Sequence, residues 1–105
     1  MAESSNYKVT ISDRAKQMLA THIRFMANVN KKAAAEKKKE ILAAMRSLSQ
    51  MPQRFPFFEE MYITPNKYHK MFIEKWYLVL YQIQDKTVYV DYILDCRKDY
   101  SWLIH

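Results

Sequence analysis

The spacing of hydrophobic residues passes from alternation to a helical period and back to alternation along the chain. Tyr7, Val9 and Ile11 alternate with Lys8 and Thr10, which predicts a half-buried strand after a frayed polar leader over 1–6. Ser12 then suits a helix N-cap, with Asp13 favourably placed against the positive end of the helix dipole. Ala15, Leu19, Ile23 and Met26 form one apolar stripe, which Met18, His22 and Phe25 widen. Asn28, Val29 and Asn30 break that period. Asparagine suits both the left-handed end of one helix and the cap of the next, so a helical hairpin is expected. In the second helix Ala34, Ile41, Met45 and Leu48 mark the buried face. Lys31, Lys32, Lys37, Lys38 and Lys39 crowd the solvent side, where Lys32 with Glu36, and Glu36 with Lys39, can pair.

Pro52 and Pro56 bracket a stretch that cannot continue a helix, because proline lacks the amide donor and restricts the residue before it. Phe55, Phe57 and Phe58 lie in this loop and are expected to plug a gap between helices and sheet, since three exposed phenylalanines would be costly. From Tyr68 the chain turns β-branched and aromatic. Segments 68–73, 77–83 and 88–94 read as strands joined by short connections, hence as antiparallel hairpins.

By the two-residue period of a strand, Val88, Val90, Tyr92 and Leu94 share one face, expected against the helices. Tyr89, Asp91, Ile93 and Asp95 share the other, and Arg97 continues it, which suggests a polar cleft on the face away from the helices. The fold class expected is therefore α+β: an N-terminal strand, a two-helix hairpin and a mostly antiparallel sheet.

Composition narrows the picture. Half of the 105 residues are hydrophobic, enough for a core without staples, and one domain over 1–105 is expected. The lone Cys96 cannot form an internal disulfide, no apolar run approaches the roughly 20 residues of a membrane span, and the leader is polar, so a cytoplasmic protein is expected. Seventeen Lys and Arg against eleven Asp and Glu give a formal charge of +6, which favours anionic partners. The sequence contains no glycine, which excludes a glycine-rich phosphate cradle and argues against hairpin turns built on Asn-Gly or Asp-Gly.

The order strand, helix, helix, loop and three-stranded block, with the strand Tyr77-Leu78-Val79-Leu80-Tyr81-Gln82-Ile83 and the ending from Ile93 to Tyr100, resembles the RelE/ParE superfamily of toxins. These belong to bacterial type II toxin–antitoxin systems, including those used for plasmid stabilisation. The resemblance implies a curved sheet with a concave basic surface, helices packed behind it, and a cognate antitoxin that wraps the toxin. RelE-like members cut messenger RNA on the ribosome without a metal, whereas ParE-like members poison DNA gyrase. No cofactor and no metal are implied.

RelE-like nucleases carry an arginine in the central strand where this chain has Leu78, and a second lysine in the preceding strand where it has Phe72. Such chemistry needs cations around the scissile phosphate, and one lost oxyanion donor can cost ~10²–10³ in turnover. The catalytic set left is Lys70, His69, Arg97 or Lys98, and Tyr100, with Lys75 nearby. His69 can serve as an acid or base near neutral pH, or sit passively at a hairpin edge. Asp91 and Asp95, without a neighbouring histidine, suit orienting Arg97 better than holding a metal. The ParE-like function is therefore favoured, with a ribosome-dependent metal-independent endoribonuclease as the alternative and a degenerate, non-toxic antitoxin-binding protein as the third reading.

Overall fold

A computed structural model describes residues 6–60, 63–74 and 76–96. Strand β1 (Lys8–Ile11) leads into helix α1 (Asp13–Ala27), and helix α2 (Lys31–Arg46) follows, continued by one tight turn at Ser47–Ser49 and another at Pro52–Arg54. Strands β2 (His69–Ile73), β3 (Tyr77–Gln84) and β4 (Thr87–Asp95) complete a sheet in the order β1-β4-β3-β2. Among the described strands only the β1–β4 pairing is parallel, so the sheet is mostly antiparallel as expected.

Local chemistry sets the helix ends. The Ser12 hydroxyl accepts the Ala15 amide at 3.0 Å, and Asn30 Oδ1 accepts that of Ala33 at 3.0 Å, satisfying amides that the first turn leaves without partners. Asn28 does not adopt the left-handed form expected of it. It stays right-handed helical at φ −62°, its amide returning to the Arg24 carbonyl, because Asn30 alone supplies the extended break between the helices.

Hairpin turns form without glycine. Asp85 takes φ 55° in the two-residue link between Gln84 and Thr87, and Glu74 takes φ 55° after β2. Aspartate tolerates this region through local hydrogen bonding of its short side chain. Glu74 is held from outside, since Lys37 Nζ binds its carboxylate while also pairing with Glu40 at 2.8 Å. Lys37 therefore leaves the solvent-facing set and ties α2 to the β2–β3 turn.

The main core lies between helices and sheet. Ala15, Leu19, Ile41, Met45 and Leu48 meet Met71, Ile73, Tyr77, Val79, Tyr81, Val88, Val90 and Ile93. Full burial of a large aliphatic side chain contributes about 1.5–3 kcal/mol, and these positions coincide with the apolar stripes of the two helices. The stripe on α1 runs its full length, with Ile23 and Met26 packed against this core, but Phe25, counted among its flanks, is 62% exposed.

The last strand departs from simple alternation. Leu80 pairs with Tyr92 but Tyr81 pairs with Val90, so Asp91 is an extra residue in a β-bulge. Side-chain parity inverts beyond it. Ile93 joins the helix-side core, while Leu94 and Tyr92 go to the outer face, opposite to the expected arrangement. That outer face carries a second core of Phe58, Tyr68, Leu78, Leu80 and Leu94, flanked by Ile63, Tyr92 and Cys96. Phe58 thus packs on the side of the sheet away from the expected gap, while Phe55 packs on the helix side.

Helix α1 also covers the edge of β4 that β1 leaves uncovered. β1 ends opposite Val90, and beyond it His22 Nε2 lies 2.8 Å from the Ile93 carbonyl. A backbone acceptor at the sheet edge is thereby satisfied.

Candidate functional site

Lys70 and Phe72 lie on the outer face, paired across the ladder with Leu80 and Leu78. The centre of that face is a packed apolar layer in place of a cleft: Leu78 is 0% exposed, although its neighbour Phe72 is 54% exposed at the free edge. Within β2, β3 and β4, Lys70 is the only lysine or arginine.

Polar groups gather at the bulge. Asp91 Oδ2 accepts hydrogen bonds from the Tyr68 hydroxyl at 3.0 Å and from Gln82 Nε2 at 2.8 Å. Burial holds the Tyr68 phenol well above its ordinary value, and the hydrogen bond and negative charge of Asp91 add to that effect. Tyr68 meets Tyr92 edge to face at 5.9 Å, and the guanidinium of Arg14 lies 4.7 Å from the Tyr92 ring centre. Lys67 lies 5.4 Å from the Tyr68 ring centre. Gln82 was legible from the parity of Leu78 and Leu80. The approach of Arg14 to Tyr92 depends on α1 crossing the sheet edge, which no periodicity reports.

Asp95 does not share this cluster. The bulge turns it to the helix side, where it is buried and lines a groove with His22 and Trp76. The expected pair of carboxylates is therefore divided between the two faces. Cys96, flanking the outer core, has its thiol pushed up by burial and by the charge of Asp95.

His69 and Lys70 are separated in the same way. His69 is buried on the helix side, its Nδ1 2.8 Å from the Phe55 carbonyl, stacked on Tyr81 at 5.3 Å and beneath Phe57 at 4.2 Å. It anchors the proline-bracketed loop to the sheet. Tyr81 assists by donating its hydroxyl to the Pro52 carbonyl at 2.7 Å. Arg97, Lys98 and Tyr100, with Lys75, lie outside the described residues. Among the described residues, no three His, Cys, Asp or Glu side chains are grouped to hold a metal ion, and no helix is long and apolar enough to cross a membrane.

Among the described residues, grooves lie on either flank of α1. One, of about 430 Å³, runs between the helices over Ile11, Leu19, Ala20, Ile23 and Leu42, rimmed by Lys16, Arg24 and Lys38. The other, about 360 Å³, opens at the hairpin tip among His22, Phe25, Met26, Val29, Trp76 and Asp95.

Comparison with known proteins gives a family and similar solved structures. Residues 9–100 match the family model described as the ParE toxin of the type II toxin–antitoxin system parDE. Among solved structures, the chain is similar to one described as the chromosomal ParDE TA system from P. aeruginosa, with a TM-score of 0.71 and 12% identity, covering 87% of this chain and 97% of that one. At that identity the likeness is one of fold. No curated protein matches the sequence.

Proposed function

The chain belongs to the ParE toxin family of type II toxin–antitoxin systems, and from that premise we propose that it arrests growth by acting on DNA gyrase until a cognate antitoxin neutralises it. The observation that carries the choice of target is Leu78. The centre of the face where a nuclease would surround a phosphate with cations is a sealed apolar layer of Leu78, Leu80 and Leu94. Lys70 is the cation that β2–β4 bring to that face, and His69 is committed to the opposite one. Such an arrangement can bind an anion but stabilises a developing phosphorane poorly. Arg97 or Lys98, with Tyr100, then serves target binding.

The antitoxin is assigned to the groove between α1 and α2. Its apolar floor and the rim of Lys16, Arg24 and Lys38 complement an amphipathic segment with acidic flanks, ordering as it docks. The test is induction of this chain in bacteria, with and without the antitoxin encoded beside it. Growth arrest with loss of chromosomal supercoiling, abolished by the antitoxin, is expected. Arrest with cleavage of ribosome-bound mRNA would assign the protein to the nuclease branch, and no arrest would leave it a non-toxic partner of its antitoxin.

A further inference from the structure

Val29 is 87% exposed at the tip of the helical hairpin, and two large aromatic side chains stand near it across the 360 Å³ notch, Phe25 at 62% and Trp76 at 45% exposed. Clustered exposed apolar groups of this size mark interaction surfaces, and Trp and Phe are the anchors that interfaces favour. The notch draws on the end of α1, the first turn of α2, the β2–β3 connection and the end of β4, whose Asp95 is buried.

Its base is held in place before anything binds. His22 is hydrogen-bonded to the Ile93 carbonyl and lies 5.5 Å from the Tyr77 ring, and the Trp76 indole sits 5.6 Å from Lys37 Nζ, itself anchored by Glu40 and Glu74. A rigid notch loses little conformational entropy when it is filled.

Electrostatics say what fills it: Asp95, the carboxylate in its lining, is buried, so the exposed charge beside the notch is that of lysines. Lys31 and Lys32 are exposed in the first turn of α2, which contains no acidic residue, and they flank Asn30 and Ala33 of the notch wall. Cations at the positive end of a helix dipole are unfavourable, so an arriving carboxylate gains from both the lysines and the dipole. A second copy of this chain would bring the same lysines and a charge of +6 to a surface already positive.

The notch and the antitoxin groove occupy different flanks of α1. His22, Phe25, Met26 and Val29 recur at helical spacing on one side, and Lys16, Leu19, Ala20 and Ile23 on the other. The two linings share no residue. We propose that the Phe25–Val29–Trp76 notch is a docking site for the target protein, receiving an apolar side chain from an acidic segment of it. This rests on the toxin reading above, and it adds a contact surface that the antitoxin groove does not share.

The experiment uses the full chain with Val29→Glu, and separately with Lys31→Glu and Lys32→Glu combined. Because Val29 is exposed, Val29→Glu should melt like the parent, and the lysine variant should melt at or above it, since acidic residues suit the start of a helix. Val29→Glu is expected to weaken growth arrest and gyrase inhibition by about tenfold or more, as loss of an interface anchor does, with antitoxin affinity within about twofold. The lysine variant should weaken target inhibition more at low salt than at high salt. Unchanged arrest by Val29→Glu, with gyrase inhibition by the parent intact, would overturn the notch and leave the gyrase assignment standing. Loss of antitoxin binding with arrest retained would hand the site to the antitoxin and overturn the proposal. A parent dimer that Val29→Glu dissociates would hand it to a second copy, also against the proposal. Parent arrest without gyrase inhibition would sink the gyrase assignment alone, and a drop in arrest by Val29→Glu would still support the notch.

Discussion

The Tyr68 hydroxyl donates a 3.0 Å hydrogen bond to the carboxylate of Asp91, the residue that the bulge inserts into the last strand. This contact fixes where parity inverts, because Gln82 grips the same oxygen from the neighbouring strand. Tyr68→Phe removes one of the two donors to a part-buried charge. It is expected to lower stability by about 1.5–3 kcal/mol, read as a shift in the denaturation midpoint with unchanged slope. A midpoint equal to the parent's would show that the bulge is held by backbone alone.

Alkaline pH should weaken the fold through two tyrosines. Burial raises the phenols of both Tyr68 and Tyr81, with Asp91 adding to the first and Arg54 partly offsetting the second. An unfolded chain ionises its tyrosines near pH ~10, while these two stay protonated in the folded protein. Their contribution to stability is therefore complete below about pH 10 and is lost as pH climbs from there toward their folded values. Unfolding midpoints between about pH 8 and pH 11 should fall, and Tyr81→Phe should flatten the fall. A flat profile in the parent would contradict the burial of both phenols.

His69 and Lys70, adjacent in sequence, should behave differently when replaced. His69→Ala removes the contact to the Phe55 carbonyl and the stacking on Tyr81, and is expected to cost about 1–3 kcal/mol. Lys70→Ala should change stability by less than about 0.5 kcal/mol. A His69→Ala protein that melts like the parent yet has lost toxicity would restore the histidine to a chemical role.

Leu78→Arg would place a nuclease-like arginine in the central strand. Leu78 is fully buried among Leu80, Leu94, Phe58 and Tyr68, so an uncompensated charge there should cost about 3 kcal/mol or more and yield no mRNA cleavage. A stable variant that cleaves ribosome-bound mRNA would show that the outer face opens readily into a phosphate site.

Much of this architecture was legible in the sequence because local chemistry and long-range packing agree there. Ser12 and Asn30 cap the helices expected of them, and Ala15, Leu19, Ala34, Ile41, Met45 and Leu48 are buried as their spacing required. The misreadings of the last strand share one cause. A single unpaired residue, Asp91, inverts every side chain after it, and no local pattern announces a bulge, since Tyr92, Ile93 and Leu94 suit either face. The polar cleft expected from Asp91 and Asp95 was a product of unbroken alternation. Leu78 and Leu80 were visible as strand residues, but their burial depends on Phe58 and Tyr68, brought over the outer face from a loop whose destination composition does not encode.

Purified protein added to a DNA gyrase supercoiling reaction, run beside ribosomes carrying a defined mRNA, tests the central claim most directly. The account predicts inhibited supercoiling that the cognate antitoxin relieves, with the mRNA left intact. Codon-specific cleavage in the ribosomal A site with gyrase untouched would contradict it, and would make Lys70 with Arg97 or Lys98 and Tyr100 the groups to test for catalysis.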